Sequence, residues 1–503
     1  MTQVDRRRTA IWGFGWGAFA GLVLVALMYV ASALLGLRPL PQALNEPLLS
    51  IMPGFVFGFL IDTLQHAGKV VEEIGLIIAM VIALGVLGAA WAVTALRWRF
   101  AQSALVFAGL GFLVVVLVLL PVAGAGFLGL NDGPTTPAVW AALFAIWGVM
   151  LRLGGLPAAA SSAAADPDRR RLLSALPLGV GAASLALTGL LRVPNWFAAI
   201  ANPPESGLRG PSPAITPVEN FYVVSKNFAD PVVDGQSWRL SIGGLVDHPR
   251  RLSLIELRGL PSVTQYVTLE CISNDVGGDL MSTGSFTGVR MTDLIAMASP
   301  RSGGTWAAFR AQDGYAESLS LSTIDSEPEI LVAYDLDGSP LPNAHGYPAR
   351  VLIPGRYGMK GPKWLTSIDI VRQESGGYWE QQGWDHNAVV RTTARFDVPR
   401  DADIVKLGPV QLSGVAFAGI RGISRVEYST DGGGSWADAT LTPPLSRLTW
   451  TLWGATWTPG GEGSYKLAVR ATDGTGAIQP SLATPSFPGG AAGYHTIRID
   501  VSK

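Results

Sequence analysis

The chain has 503 residues, 49% of them hydrophobic and only 15% charged, which is too long for one ordinary domain and too apolar for a purely soluble protein. Its formal net charge of −1 offers no basic surface for a phosphate backbone, so nucleic acid is excluded as an expected partner. A single cysteine excludes an intramolecular disulfide, a multi-cysteine iron–sulfur cluster and every paired-cysteine zinc site.

Five apolar runs are long enough to cross about 30 Å of hydrocarbon as helices. They cover residues 11–36, 74–96, a stretch inside 101–131, 134–151 and 172–191. A sixth run, 51–61, is interrupted by Pro53 and two glycines and is too short to span, which suits an interfacial or re-entrant piece. The lipid bilayer is therefore an expected partner.

Cationic loops are retained in the cytoplasm, so lysine and arginine set the orientation. Arg6, Arg7, Arg8, Arg97, Arg99, Arg152, Arg169, Arg170 and Arg171 fall on one side if five helices alternate, against only Arg38 and Lys69 on the other. This bias puts the N-terminus inside and everything after about Arg192 outside, at the extracytoplasmic face of a multi-pass cell-membrane protein. Asp168-Arg169-Arg170-Arg171-Leu172-Leu173 also resembles a twin-arginine export signal placed internally, and reads equally as a cytoplasmic anchor for the fifth helix. The export reading gains weight if the following domain holds a cofactor loaded in the cytoplasm.

From about Pro203 a Pro- and Gly-punctuated linker gives way to short alternating runs separated by turn signals. Residues 238–242 alternate as a half-buried strand, and in 263–272 the residues Val263, Val267, Leu269 and Cys271 share one face. Residues 253–260 and 291–297 suit short helices, the first with Ser253 as its N-cap and Gly259 near its end. Beyond about Arg395 no helical period persists. Strands are expected at 425–429, 448–452 and 465–471, and Asp431-Gly432-Gly433-Gly434 is a turn that needs positive φ. A β-sandwich of roughly 100 residues is the expected tail.

Cys271 lies in Thr268-Leu269-Glu270-Cys271-Ile272-Ser273-Asn274, at the end of a strand and just before a loop with two glycines. On its own, a lone cysteine is more often an inert buried hydrophobe than a ligand. Its surroundings raise the stakes. Phe286-Thr287-Gly288-Val289-Arg290-Met291 follows, then Asn343-Ala344-His345-Gly346-Tyr347-Pro348-Ala349-Arg350-Val351-Leu352-Ile353-Pro354-Gly355 and Tyr357-Gly358-Met359-Lys360-Gly361-Pro362-Lys363-Trp364-Leu365. These blocks resemble the oxidoreductase molybdopterin-binding domain of the sulfite oxidase family, over Asn220 to about Trp384. The family reads H-G-F/Y-P-x-R-x-x-x-P-G and then Y-G-x-K-x-x-K-W-L. More weakly, Val426-Glu427-Tyr428-Ser429-Thr430-Asp431-Gly432-Gly433 with Trp436 resembles the family's immunoglobulin-like dimerisation domain, which implies a homodimer through the tail.

The resemblance implies a molybdenum–molybdopterin cofactor (Mo-co) with Cys271 as both metal ligand and catalytic residue. A thiolate is a soft, strongly donating ligand suited to a redox-active second-row metal, and the pterin dithiolene supplies the other sulfurs. By the same resemblance His345, Arg350, Gly361 and Lys363 are cofactor contacts, and Asn220, Lys226 and Asn227 follow from a less well matched opening segment. Without that context Arg350 and Lys363 would be surface charges and His345 a turn residue. The sulfite-oxidising branch has Arg-Asn-His where this chain has Val224-Ser225-Lys226, which puts a tight sulfate-like pocket in doubt. Arg290, Arg356, Arg391 and Arg395 remain as sources of positive charge. Trp379 and Trp384 suit a pocket for a less charged substrate or plain aromatic core packing.

The expected organisation is multi-domain. An α-helical transmembrane bundle (1–195) and linker (196–215) precede an α+β molybdopterin-binding domain (216–395) and an all-β immunoglobulin-like sandwich (396–503). The expected function is two-electron oxygen-atom transfer on a small molecule resembling sulfite, a sulfoxide or an N-oxide. The alternative is a cofactor-free binding or scaffolding module. A hydrolase is disfavoured because no G-x-S-x-G nucleophile motif is present. His66 is the only histidine before residue 200 and no C-x-x-C-H run exists, so a separate redox partner is expected to carry electrons.

Overall fold

The computed structural model describes residues 3–44, 47–48, 68–97, 103–154, 182–184, 186–192, 210–227 and 230–503. Two compact units make up the chain, one ending at Pro203 and the other running from Pro204 to Lys503. The twin-arginine segment, the 51–61 run and the first half of the expected fifth span lie outside the described residues.

Among the described residues of the first unit four helices are long and apolar enough to cross a membrane, at Arg6–Leu35, Val70–Ala95, Ala104–Val122 and Thr136–Leu153. A shorter apolar helix lies within Ala182–Arg192. The third helix opens into a π-turn at Val115–Leu119 just before Pro121, where a proline lacking its N–H interrupts the i→i−4 ladder. Helices one and two meet through small residues. A Cβ on Gly17 would lie 2.7 Å from the Leu84 carbonyl oxygen and 2.9 Å from the Gly88 Cα, so glycine is what allows the two backbones to touch.

The described residues of the second unit form four sheets. The strands are β1 (Arg239–Gly244), β2 (Arg250–Ser253), β3 (Val263–Glu270), β4 (Met281–Arg290), β5 (Trp306–Ala311), β6 (Ala316–Ser320), β7 (Leu331–Leu336), β8 (Ser339–Pro340), β9 (Arg350–Leu352), β10 (Leu365–Val371), β11 (Thr393–Val398), β12 (Ile404–Lys406), β13 (Val410–Phe417), β14 (Ile423–Ser429), β15 (Ala437–Asp438), β16 (Thr440–Leu441), β17 (Thr451–Trp457), β18 (Gly463–Asp473) and β19 (His495–Ser502). One sheet runs β2-β1-β10-β5-β6 and a second β3-β4-β7-β8, with β9 on β7. Short helices pack with them, at Leu254–Arg258 and Met291–Ala298. Ser253 caps the first in a reciprocal box with Glu256 and Gly259 closes it, as the sequence indicates.

The tail forms two further sheets, β11-β13-β17-β16 and β12-β19-β18-β14-β15. They share one core built from Phe396, Leu412, Val426, Trp453, Leu467 and Ile499, which makes this region a β-sandwich. Gly432 and Gly433 take φ of 77° and 102° in the expected turn. One strand starts later than its sequence suggests: β17 begins at Thr451, because the preceding residues bond instead to β3. The Thr268 N–H donates to the Leu448 carbonyl at 3.0 Å, and the Trp450 N–H donates to Thr268 Oγ1 at 2.8 Å. The same covering explains why β3 is half-buried at its start but buried on both faces from Val267 to Glu270.

Candidate molybdenum centre

Cys271 follows the last residue of β3, half-buried, where the chain leaves the sheet. Its N–H donates to the Leu280 carbonyl at 2.9 Å, which closes the loop 271–280 at its base. The thiol lies 3.1 Å from the Ser273 hydroxyl. Burial pushes that thiol up, with Ser273 opposing. A metal that binds only the thiolate must overcome this cost, and its own charge does so.

The residues of the 343–365 block converge on Arg350. Arg350 opens β9, is 6% exposed, and reaches the carbonyls of His345 and Gly361 only at 3.4 Å each. Among the described residues no carboxylate pairs with it, and burial lowers its pKa. Gly346 brings the strands of this block together, since a Cβ there would lie 3.0 Å from Lys363 Cβ and 3.1 Å from Arg350 Cβ. The Lys363 ammonium donates to the Ala344 carbonyl at 2.9 Å and stands over the Trp364 ring. His345 is buried with its ring edge-on to Phe221. Burial, Arg350 and Lys363 hold it neutral, with its pKa down to about 4. At Gly361 a Cβ would lie 2.6 Å from the Val351 carbonyl, so no side chain fits there.

Tyr222 stands near Glu270, the residue before Cys271: a Cβ on Gly358 would lie 2.9 Å from the Tyr222 Oη and 3.5 Å from the Glu270 carbonyl. Its phenol is buried, and the fields of both Cys271 and Arg350 act on it. Neither Tyr222 nor Glu270 is singled out by the sequence. Glu270 is 4% exposed, accepts from Asn274 Nδ2 at 2.9 Å through Oε1, and leaves Oε2 without a partner. Burial raises its pKa to about 7. The only signal available was the position of each beside a residue already singled out.

The remaining expected residues make contacts of their own. Asn220 ends a 3-10 turn. Lys226 and Asn227 converge on Asp313, with Lys226 Nζ 2.9 Å from its carbonyl and Asn227 Nδ2 3.0 Å from its carboxylate. Of the arginines offered as positive charge, Arg290 donates to the Pro328 carbonyl, Arg356 pairs with Glu327, Arg391 bonds Thr484 and Arg395 pairs with Asp397. Trp384 is buried edge-on to Phe487, which is aromatic core packing.

Both domains of the second unit are similar to known proteins. Residues 227–379 match the oxidoreductase molybdopterin binding domain and residues 386–502 the Mo-co oxidoreductase dimerisation domain. Sulfite oxidase of Arabidopsis thaliana is 31% identical over 292 residues, which cover 48% of this chain and 73% of that protein. The chain belongs to the sulfite oxidase family. Mitochondrial sulfite oxidase of Mus musculus is 29% identical, over 56% of this chain and 60% of that protein. A putative protein-methionine-sulfoxide reductase subunit YedZ1 of Azospira oryzae is 28% identical, over 47% of this chain and 83% of its own. The fold is shared with the sulfane dehydrogenase SoxCD of Paracoccus pantotrophus, at a TM-score of 0.51 and 22% identity, over 60% of this chain and 86% of that one.

As a member of the sulfite oxidase family the chain is a molybdopterin-dependent oxidoreductase whose cofactor is Mo-co. The residues present fit that group. A buried guanidinium without a counter-anion, a lysine and a side-chain-free position at Gly361 suit an anionic pterin phosphate. The half-buried thiol of Cys271 suits a soft metal.

Proposed function

We propose that this family member is a membrane-anchored enzyme catalysing two-electron oxygen-atom transfer on a small substrate at the extracytoplasmic face. The observation that carries the reading is Arg350, a buried cation whose nearest protein acceptors are carbonyls at 3.4 Å or more. An unpaired buried charge is costly, and an anionic cofactor relieves it. A cofactor-free scaffold has no such compensation, which disfavours that alternative.

When bound, Mo-co supplies the two-electron redox chemistry and the oxygen-transfer site. The chain's own residues bind and orient it. Cys271 gives its thiolate, Arg350 and Lys363 direct positive charge at the pterin's anionic groups, and neutral His345 offers a ring nitrogen that can donate without adding charge. Asn220, Lys226 and Asn227 complete the set from the opening segment, where Asp313 holds the latter two in place.

Substrate classes follow from the relatives' names. Sulfite oxidation and sulfoxide reduction are the two to screen, with N-oxides third. The dispersal of Arg290, Arg356, Arg391 and Arg395 to other partners favours a substrate less anionic than sulfite. A homodimer through the immunoglobulin-like tail and electron exchange with a separate redox partner complete the proposal.

Molybdenum content per chain tests it, on detergent-purified wild type, Cys271→Ala and Arg350→Met from a host that makes molybdopterin. Stoichiometric metal in the wild type, lost in Cys271→Ala and reduced about ten- to hundred-fold in cofactor affinity in Arg350→Met, is the expected result. A metal-free wild type would leave the scaffold as the better reading.

A further inference from the structure

The loop that carries the metal ligand is tied at its base by its own residues and at its tip by the β-sandwich. At the base, the Asn274 N–H donates to the Cys271 carbonyl at 3.0 Å, and Asn274 Oδ1 accepts from the Leu280 N–H at 2.9 Å. The tip is Gly277 and Gly278. Gly277 sits at φ 80°, and a Cβ on it would lie 2.4 Å from the His495 ring. The Gly278 carbonyl accepts from Arg395 Nη1 at 2.6 Å.

Both residues at the tip come from the sandwich. Arg395 and Asp397 lie two apart on β11 and so share a face. The Arg395 guanidinium, 7% exposed, has three directed bonds, to Gly278, to Asp397 Oδ1 at 2.9 Å and to Ser212 Oγ at 3.2 Å. Asp397 in turn accepts from the Ser212 N–H. His495 begins β19, and its Nδ1 accepts from the Phe396 N–H at 2.9 Å, which fixes the ring against β11. Burial and Arg395 keep it neutral, with its pKa down to about 4. The sandwich also bonds the edge of β3, the strand leading into Cys271, at Tyr266 and Thr268.

We propose that the sandwich is a positioning element of the molybdenum centre, in which Arg395 and His495 clamp the Gly277 and Gly278 turn and thereby fix the direction from which Cys271 meets the metal. Arg395 and His495 are positioning residues, acting through the loop. A ligand held within a fraction of an ångström needs such outer support, because a freely hinged loop lets the thiolate–metal geometry wander. Arginine suits the task better than lysine, since its planar fork spreads five N–H donors over three nitrogens whereas a lysine's three radiate from one. The inference rests on the molybdenum reading above.

The test uses the full-length holoenzyme, comparing wild type with Arg395→Gln, Arg395→Lys and Gly277→Ala. Arg425→Gln, on the same domain at an exposed ion pair with Asp438, controls for a general weakening of the sandwich. Molybdenum content and the electron paramagnetic resonance spectrum of the half-reduced metal are read beside turnover. Shifted g-values in all three loop-directed variants, with kcat down about ten-fold or more, KM little changed and the control like wild type, are expected. Loss of metal from Arg395→Gln with a shifted spectrum in Gly277→Ala carries the same meaning. Wild-type spectra and metal content in the folded Arg395 and Gly277 variants would overturn the clamp while leaving the molybdenum reading intact. A wild type without molybdenum would overturn both.

Discussion

Glu317 shows how strongly one buried residue can couple this unit to pH. It lies on β6 with no exposure, accepts from Lys360 Nζ at 2.7 Å and from the Ser318 N–H at 2.8 Å, and leaves Oε2 unpartnered. Glu380 contacts the same ammonium, and the buried Tyr315 faces the cluster. Burial raises Glu317 to about 7, Lys360 opposing and Glu380 adding to the rise. The folded state therefore holds the proton more tightly than the unfolded one, whose value is 4.5. Stability from this site is full below about 4.5 and is lost as pH rises to about 7. Glu317→Gln, permanently neutral, should gain on the wild type by on the order of 3 kcal/mol between pH 5 and 8, read from thermal unfolding of the full chain in detergent. A pH-independent gap would show that Glu317 stays ionised throughout. This residue was invisible in the sequence, because its partners are 43 and 63 positions away. By contrast the His345, Arg350, Gly361 and Lys363 cluster was legible, since all four lie in one contiguous block. Arg395 and His495 reach the cysteine loop only across 117 and 218 positions, at Gly278 and Gly277, and no local pattern records those.

At the scale of elements, local chemistry again decided what could be read. Helix lengths, the Ser253 capping box and the glycine turn at Asp431 follow from short-range rules. The late start of β17 does not, because it depends on β3 bonding to Leu448 and Trp450. The crossing of the first two membrane-unit helices lies between these cases. Gly13, Gly17 and Gly21 recur every four residues, a small-residue stripe, but which helix they face is settled only by the contacts. A Cβ on Gly13 would lie 2.5 Å from Ala92 Cβ, and one on Gly88 2.7 Å from Gly17 Cα, whereas one on Gly15 meets nothing within 4 Å. Gly17→Leu should force the helices apart at a cost on the order of 3 kcal/mol, seen as a lower midpoint in heated, detergent-solubilised protein. Gly15→Leu should behave as wild type. Equal behaviour of the two variants would mean that this crossing does not hold the bundle together.

Over the whole chain, the proposed membrane anchoring makes the number of crossings decide which face of the membrane the molybdenum domain occupies. The first unit gives two markers. Trp16 Nε1 donates to the Met150 carbonyl at 2.7 Å and Trp147 Nε1 to the Gly17 carbonyl at 3.3 Å, so the end of the fourth helix lies beside the N-terminal part of the first. Arg192 instead reaches Glu73 at 2.6 Å, together with Tyr29 at 2.9 Å and Gln42 at 3.1 Å, all near the far end of the first helix and the start of the second. Met150 and Arg192 thus lie at opposite ends of the first helix. Under the proposed membrane anchoring this favours an odd number of crossings, and the arginines at positions 6, 7, 8, 97 and 152 favour a cytoplasmic first end. Cys271 is the only cysteine and is half-buried, so added cysteines report cleanly against the parent chain. A membrane-impermeant maleimide on intact cells should label Asp438→Cys, whose side chain is 65% exposed, and should reach Ser103→Cys, exposed at the start of the third helix, only after permeabilisation. The reverse pattern would invert the orientation and place the oxidoreductase inside the cell. Equal labelling of both would require an even number of crossings, which would mean that the Arg192–Glu73 pair does not form in the membrane.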